Sequence, residues 1–171
     1  MMKKSVVRDF NRYCAGELYS LYRDVYSTSE GMSGTLEDKY RDRVSFEEDI
    51  TILQSLPGGI ALAAGTAQKP DAYLTIRPRT QSRLRHTADL NMGVAQSARG
   101  KGFGEQLLRA GLKRATTSQE LEIVYLMVRT DNEPAIRLYQ KMEFETLTIL
   151  SRDIKTTDAY YDGILMRKFV D

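Results

Sequence analysis

Residues 94–104 have the sequence VAQSARGKGFG, and this stretch decides the fold class of the chain. Its three glycines alternate with other residues, and a glycine lets the backbone adopt unusual angles and approach a ligand closely. An alternating, strand-like segment precedes the stretch, and a segment with helical periodicity follows it. Amide groups at the start of a helix lack partners within the helix and carry partial positive charge. With Arg99 and Lys101 beside them, these amides predict a phosphate-binding cradle between a strand and a helix.

Two other glycine-rich motifs bind phosphates, and neither matches this stretch. A P-loop has two glycines five positions apart followed by Lys and Ser or Thr, whereas Gly104 is followed by Glu105. The dinucleotide motif has a wider glycine spacing within an early strand–helix–strand unit. Here the glycines occur late in the chain, after several predicted strands. One alternative stays open at this point, which is a glycine-rich start of a helix that binds no ligand.

The segments on either side of the glycine stretch predict a layered domain. Strands are predicted at Ser5–Asp9, Ile60–Ala67, Ala72–Ile76, Arg83–Val94, Ile123–Val128, Phe144–Leu150 and Tyr160–Phe169. Helices are predicted at Asn11–Tyr26, from Thr35, from Ser45 to Leu56, and at Phe103–Thr117 and Asn132–Lys141. This order predicts one α/β (α+β) domain over residues 1–171, with a mixed, mostly antiparallel sheet of six to seven strands and helices on both faces.

The composition of the chain excludes several classes of protein. The chain has 171 residues, of which 42% are hydrophobic and 28% charged, as in ordinary globular proteins. No apolar run approaches the ~20 residues of a membrane span. The basic start, Met1–Lys4, is followed by no apolar segment of a secretory leader, so we expect a cytoplasmic protein. With one cysteine and one histidine, we expect no disulfide and no metal site.

The positive charge lies in the middle of the chain. The formal net charge is only +2, which does not indicate a nucleic acid as partner. Residues 69–114, however, contain 10 basic and 3 acidic residues, a net charge of +7. A basic central segment suits a polyphosphate ligand, and an ordinary solvated surface is the alternative.

A second motif identifies the family that the glycine stretch resembles. Residues 99–104, RGKGFG, are followed at residues 132–144 by NEPAIRLYQKMEF. Together they resemble the GNAT superfamily of acetyl-CoA-dependent N-acetyltransferases, which has Arg/Gln-x-x-Gly-x-Gly/Ala and then Asn-x-x-Ala-x-x-Leu-Tyr before Gly-Phe. The chain departs from that pattern at Glu143, which replaces the glycine, and at Gln96, where a proline is common. The resemblance is strongest from Asp89 to Phe144, and residues 161–166 resemble the family's last strand.

The resemblance implies a binding site for acetyl-CoA as co-substrate, with no metal. The amides from residue 99 to residue 105 would hold the pyrophosphate, and the end of the preceding strand would pair with the pantetheine arm. Gly93 suits a bulge that splays this strand from its neighbour. The implied cofactor-binding residues are Met92, Gly93, Val94, Arg99, Gly100, Lys101, Gly102, Phe103, Gly104, Glu105 and Asn132.

The resemblance also implies that Tyr139 is the general acid. A phenol has a reference pKa of about 10, so it is protonated at neutral pH and can donate to a departing thiolate. The alternative role for Tyr139 is a packed core aromatic. Asp89 is our candidate for the general base. Other carboxylates, among them Asp49, stay open for that role, and the lone histidine is expected to be packed in the core.

These features predict an N-acetyltransferase that moves an acetyl group to a primary amine in a ternary complex. The acceptor would be a small molecule or a peptide, and the arginines at 77, 79, 83 and 85 would either edge the sheet or favour an acceptor with a carboxylate. Two alternatives remain, a non-catalytic acyl-CoA-binding module and a toxin that acetylates charged tRNA. A homodimer is compatible with exposed strand edges.

Overall fold

The computed structural model describes residues 6–171, so residues 1–5 lie outside it, including Ser5 of the first predicted strand. Its strands are β1 Val6–Asp9, β2 Ile60–Gly65, β3 Pro70–Pro78, β4 Thr87–Val94, β5 Ile123–Arg129, β6 Glu145–Lys155 and β7 Tyr160–Phe169. Its α-helices are α1 Ala15–Thr28, α2 Leu36–Lys39, α3 Arg43–Ser55, α4 Phe103–Ser118 and α5 Glu133–Lys141.

The seven strands form one mixed sheet in the order β1-β2-β3-β4-β5-β7-β6. Only the β4–β5 pair among these strands is parallel, and the others are antiparallel. Successive residues of a strand point to opposite faces of the sheet. Tyr73 of β3 stacks on Tyr22 of α1, with ring centroids 3.9 Å apart, whereas its neighbour Leu74 lies against Gly111 of α4. Helices therefore cover both faces, and the predicted architecture is confirmed.

The face under α1 and α3 holds an aromatic core. Tyr22 is fully buried and contacts Phe46 of α3 at a centroid distance of 4.9 Å, in addition to Tyr73. The opposite face packs Leu107 and Leu108 of α4, both fully buried. Removing this apolar surface from water stabilises the fold and fixes α1 and α4 over the central strands.

Several predicted boundaries differ from the structure: for example, α1 begins at Ala15 and not at Asn11, and β6 runs to Lys155 and not to Leu150. Two further differences have a local cause. Residues 83–86 were predicted as strand from their alternation, but they form turns, closed by bonds from the Leu84 amide to the Gln81 carbonyl and from the Thr87 amide to the Leu84 carbonyl, both 2.8 Å. These local bonds replace a sheet ladder, so β4 begins only at Thr87. The helix predicted from Ser45 begins at Arg43, because Asp42 caps it by accepting the Ser45 amide at 2.8 Å.

The sheet splits between β4 and β5. These strands pair at only three positions, where residues 87–89 face residues 123–125, and residues 90–94 have no ladder partner on that side among the described residues. We call the gap beside residues 90–94 the slot. The pairing of β4 with β3 runs without a register shift, so the prediction of a bulge at Gly93 is wrong. A Cβ at Gly93 would lie 2.6 Å from both Tyr73 Cε1 and Val25 Cγ1, so glycine is needed there for close packing.

Candidate active site

A cavity of about 880 Å³ occupies the slot. The end of β4, the glycine loop, the start of α5 and the end of α1 line it. Of the residues predicted from sequence, it brings together Met92, Gly93, Val94, Arg99, Gly100, Gly102, Phe103, Gly104, Glu105, Asn132 and Tyr139. Lys101 and Asp89 do not line it. Cavities of this size hold cofactor-sized ligands.

The glycine loop has the geometry of an anion cradle. Gly100 and Gly102 have φ angles of 74° and 81°, a left-handed conformation that favours glycine. A Cβ added at Gly100 would meet no heavy atom within 4 Å, so the space beside that residue is open. Helix α4 starts at Phe103, and the first amides of a helix have no acceptor inside it. Free amides beside open space suit an anion such as a phosphate.

Arg99 has a different role from the one its charge suggests. Its guanidinium donates to the Thr28 carbonyl at 3.3 Å and to the Thr28 hydroxyl at 3.0 Å, at the last residue of α1. It also donates to the Val94 carbonyl at 3.3 Å. A cation at the carboxyl end of a helix is stabilised by the helix dipole. Arg99 therefore joins the glycine loop to α1, and its hydrogen-bonding groups are largely occupied.

Glu105 joins the two helices beside the slot. Its carboxylate accepts from Lys141 of α5 at 2.8 Å and from Arg109 of α4 at 2.8 Å. The hydrogen bond from Lys141, and then that from Arg109, hold the pKa of the Glu105 carboxyl below its usual value. Glu105 thus remains a carboxylate near neutral pH, and only its backbone amide is suited to an anionic ligand.

Tyr139 of α5 lines the cavity. Its ring packs edge-on against Phe144 at a centroid distance of 5.8 Å, and its side chain is nearly all buried. No hydrogen bond to its hydroxyl is present within residues 6–171. Burial raises the pKa of Tyr139 to about 12. The group therefore stays protonated throughout the neutral range and is available as a proton donor.

Asn132 begins the helix that carries Tyr139. Its side-chain oxygen accepts the Ala135 amide at 3.4 Å, so it acts as the N-cap of α5. The side-chain nitrogen lies beside Gly31, where an added Cβ would come within 3.3 Å of it. The N-cap bond fixes where α5 begins, and it therefore fixes the position of Tyr139 relative to Asn132. Contact of Asn132 with a cofactor stays a prediction.

Arg129 is a site residue that the sequence analysis missed. Its side chain is 3% exposed and donates to both oxygens of Asp131, at 2.9 and 2.5 Å. It also donates to the Glu30 carbonyl and stacks on Tyr161, whose ring centroid lies 3.5 Å from the guanidinium carbon. Arg129 thereby fixes the segment after α1 against the end of β5. An arginine that ends an apolar strand was the only signal for it in the sequence.

Asp89 lies on the same face of β4 as Gly93 but four residues earlier. Its two carboxylate oxygens accept from Arg79 at 2.7 and 3.0 Å, and its side chain is 57% exposed. Four strand residues correspond to about 13 Å, so Asp89 lies beyond direct hydrogen-bonding distance of Gly93, although it directly precedes the slot. The predicted role of Asp89 as general base stays a prediction, and proton transfer to it would require intervening water.

A second cavity of about 740 Å³ adjoins the first, and the two share Ser29 and Met32 of the α1–α2 segment. Its other walls are α1, the start of α2, and residues 154–156, which are the end of β6 and the first residue of the turn after it. Six of the residues that line it carry hydroxyl groups on serine or threonine side chains. The segment after α1 therefore separates a cradle suited to phosphates from a polar chamber of similar size.

The described part of the chain lacks two kinds of feature. Residues 6–171 contain no group of three or more His, Cys, Asp or Glu side chains arranged to bind a metal ion. None of the helices in that part is both long and apolar enough to cross a membrane.

Curated relatives match either a short part of this chain or most of its length. An N-alpha-acetyltransferase of Saccharolobus solfataricus is 36% identical over 61 residues, which span 36% of each chain. The L-amino acid N-acetyltransferase AaaT of Escherichia coli is 26% identical over 147 residues, or 84% of this chain and 89% of that enzyme. The chain thus spans about a third of one relative and most of the other.

A comparison with solved structures supports the fold. The yncA protein of Salmonella typhimurium, solved with its cofactor acetyl-CoA, superposes with a TM-score of 0.85 at 16% identity. The match covers 98% of this chain and 94% of that protein. The sequence profile described as "Acetyltransferase (GNAT) family" matches residues 17–144. That range contains both the glycine loop and Tyr139, and the chain belongs to the GNAT family of acetyltransferases.

Proposed function

We propose that this protein is an N-acetyltransferase that transfers the acetyl group of acetyl-CoA to a primary amine. The observation that supports this proposal is the slot beside residues 90–94. The unpaired edge of β4 lies between a cradle suited to phosphates and a buried, protonated phenol. A ligand with a pyrophosphate at one end, an amide-bearing arm in the middle and a thioester at the other matches this sequence of groups.

The residues of the slot fit acetyl-CoA from end to end. The amides at the start of α4 and the open space beside Gly100 suit the pyrophosphate. Lys101, outside the cavity, is placed to contribute a further cation. The backbone groups of residues 92–94 suit the amides of the arm, although Arg99 already donates to one carbonyl there. The thioester then lies near Gly93 and Tyr139.

The transfer requires one bond to form and one to break. The amine nitrogen attacks the thioester carbonyl, a C–N bond forms, and the C–S bond breaks. Tyr139 donates its proton to the departing thiolate. A backbone amide near Gly93 stabilises the oxyanion, an effect worth about 3–4 kcal/mol in other enzymes. The amine loses its proton to a base, for which Asp89, acting through water, remains our candidate.

The acceptor we propose is a small amine that carries a carboxylate. The likeness to the L-amino acid enzyme of E. coli supports it. Arg79 donates to Asp89 through both Nε and Nη2. Arg77, in contrast, donates to Asp49 only through Nη2, at 2.7 Å. The Nε and Nη1 groups of Arg77 make no other hydrogen bond among the described residues. They are therefore available to a carboxylate on the face of the sheet that α3 covers.

A calorimetric titration with acetyl-CoA, with free CoA as control, tests the cofactor. We expect saturable binding of both compounds. An amine panel then follows the release of free thiol, with L-amino acids compared with their amides. Turnover of the acids but not the amides supports a carboxylate-bearing acceptor.

Other results would favour the two rival functions. Tight binding of acetyl-CoA without thiol release in any amine panel indicates a binding module. Release with charged tRNA alone, falling steeply with salt, indicates the toxin activity. No binding at about 1 mM acetyl-CoA, which corresponds to about −4 kcal/mol, overturns the proposal. Light scattering of the same samples tests whether the chain forms a homodimer.

A further inference from the structure

We propose that Val25 of α1 sets the length of the acyl chain that the enzyme accepts, and that it restricts the cofactor to short chains such as acetyl. This inference rests on the proposed function, because it concerns the same slot. The glycine loop cannot determine the length of the acyl chain, because every acyl-CoA carries the same pyrophosphate and the same pantetheine arm.

Val25 lies where the acyl group would be. Val25 lines the cavity together with Gly93 and Tyr139, and only 1% of its surface is exposed. Its Cγ1 methyl approaches the β4 backbone so closely that a Cβ at Gly93 would lie 2.6 Å away. The isopropyl group therefore closes the α1 side of the slot at the level of the proposed thioester.

This wall cannot easily yield. A β-branched side chain in a helix has one strongly preferred rotamer, so Val25 has no alternative position. Tyr22, one turn earlier on α1, stacks on Tyr73. The Tyr73 ring in turn packs against Gly93, where an added Cβ would lie 2.6 Å from Cε1. The end of α1 is also held by the glycine-loop segment, since Asp24 accepts the Gln96 amide at 3.1 Å.

The opposite wall of the slot is softer. Leu138 Cδ2 and Met92 Cε lie 3.1 and 3.5 Å from a Cβ placed on Gly104. Methionine has three rotatable bonds and adapts to irregular space. Because the Met92 side can adjust and the α1 side cannot, Val25 is the residue that limits an added methylene group.

Binding of acyl-CoA compounds tests the inference without knowledge of the amine. The affinities for acetyl-CoA and butyryl-CoA are measured by calorimetry for the native protein and for Val25→Ala. One methylene in an apolar pocket changes affinity by about 10-fold or more. We expect butyryl-CoA to bind at least about 10-fold more weakly than acetyl-CoA to the native protein, and within about threefold of it to Val25→Ala.

A matched control separates the local effect from general loosening of the fold. Val170→Ala removes the same two methyl groups from a residue that is 4% exposed and does not line the cavity. It should leave the ratio of the two affinities unchanged. Val25→Ile, which enlarges the wall and keeps the branch, should weaken acetyl-CoA binding as well.

The outcomes distinguish this inference from the proposed function. Equal affinities of the native protein for acetyl-CoA and butyryl-CoA overturn the role of Val25 and leave the transferase proposal standing. An unchanged ratio in a folded Val25→Ala protein does the same. Failure of the native protein to bind either compound overturns both proposals together.

Discussion

The Lys141 ammonium of α5 lies 2.8 Å from the Glu105 carboxylate of α4, and this contact joins the two helices beside the slot. The contact depends on charge, because Lys141 is the main cause of the lowered pKa of Glu105. A carboxyl group with a lowered pKa in the folded state contributes stability above its unfolded value of about 4.5, and that stability is lost as the pH falls through the folded value.

Lys141→Met should therefore lower the urea midpoint at pH 7 and lower it by less at pH 3, because Glu105 becomes protonated as the pH falls through its lowered pKa. The measurement is a set of denaturation curves across this pH range. Lys113→Met, an exposed lysine of α4 outside this contact, is the control. An equal loss of stability at both pH values would show that Lys141 acts through packing of its stem and not through its charge.

Tyr139→Phe should reduce kcat by a factor of about 10² to 10⁴, the range for loss of a general acid. The KM for acetyl-CoA should stay within about twofold, because the phenyl ring still packs against Phe144. Steady-state kinetics with an amine that the panel shows to be a substrate give both constants. Tyr160→Phe at the start of β7, where the side chain is 53% exposed, should have no effect. A kcat within twofold of the native value for Tyr139→Phe would exclude it as the proton donor.

The pH dependence of kcat gives an independent test of the same residue. Burial raises the pKa of Tyr139 to about 12, so its proton is retained well above the pH at which an ordinary phenol ionises, about 10. We expect no decline of kcat between pH 8 and pH 10. A descending limb centred near pH 10 that disappears in Tyr139→Phe would mean that the phenol is exposed to water when substrate is bound.

Gly93→Ala should destabilise the protein by about 1–3 kcal/mol, the usual effect of overpacking. The added methyl group would overlap Tyr73 and Val25, each 2.6 Å away. Chemical denaturation measures the loss. Gly16→Ala on α1, whose nearest neighbour would lie 3.6 Å away, should be neutral or slightly stabilising. If Gly93→Ala also proves neutral, the tight packing of α1 onto β4 is wrong.

Arg129→Met should reduce the free energy of unfolding by about 1–3 kcal/mol, because a buried guanidinium that satisfies Asp131 and the Glu30 carbonyl is lost. It should also raise the KM for the amine, since the segment after α1 loses its anchor. The matched control is Arg137→Met, which removes a guanidinium that is 68% exposed. Equal effects of both substitutions on stability and KM would contradict the proposed positioning role.

The base has its own test. If Asp89 accepts the amine proton through water, Asp89→Asn should lower kcat/KM by about 100-fold. An unchanged kcat/KM in Asp89→Asn would assign the proton to another group or to solvent.

Local pattern predicted the elements that depend on local interactions. The alternating glycines and the spacing from Asn132 to Tyr139 are properties of one loop and one capped helix, and the structure brings both to the slot. The order of strands and helices was predicted for the same reason. Alternation misled at residues 83–86, because consecutive turns and a strand give the same sequence pattern there.

The remaining features depend on contacts between distant segments. Arg129 acts on the Glu30 carbonyl, 99 positions away, and Arg99 acts on Thr28, 71 positions away. Neither partner can be identified from the sequence around the arginine. The reason for Gly93 is likewise tertiary, since its neighbours Val25 and Tyr73 come from α1 and β3.

The slot also bears on how the folded chain avoids association with foreign polypeptides. Unpaired backbone groups on a strand attract strands of other molecules, which is a common start of aggregation. Here the unpaired edge spans only residues 90–94 and lies in the interior of the sheet, with Val25 and Leu138 on its two sides. An incoming peptide carries side chains that would collide with both, whereas a pantetheine arm carries none between its amides and its thioester. The walls that shape the slot therefore also keep this edge from nucleating β-aggregates.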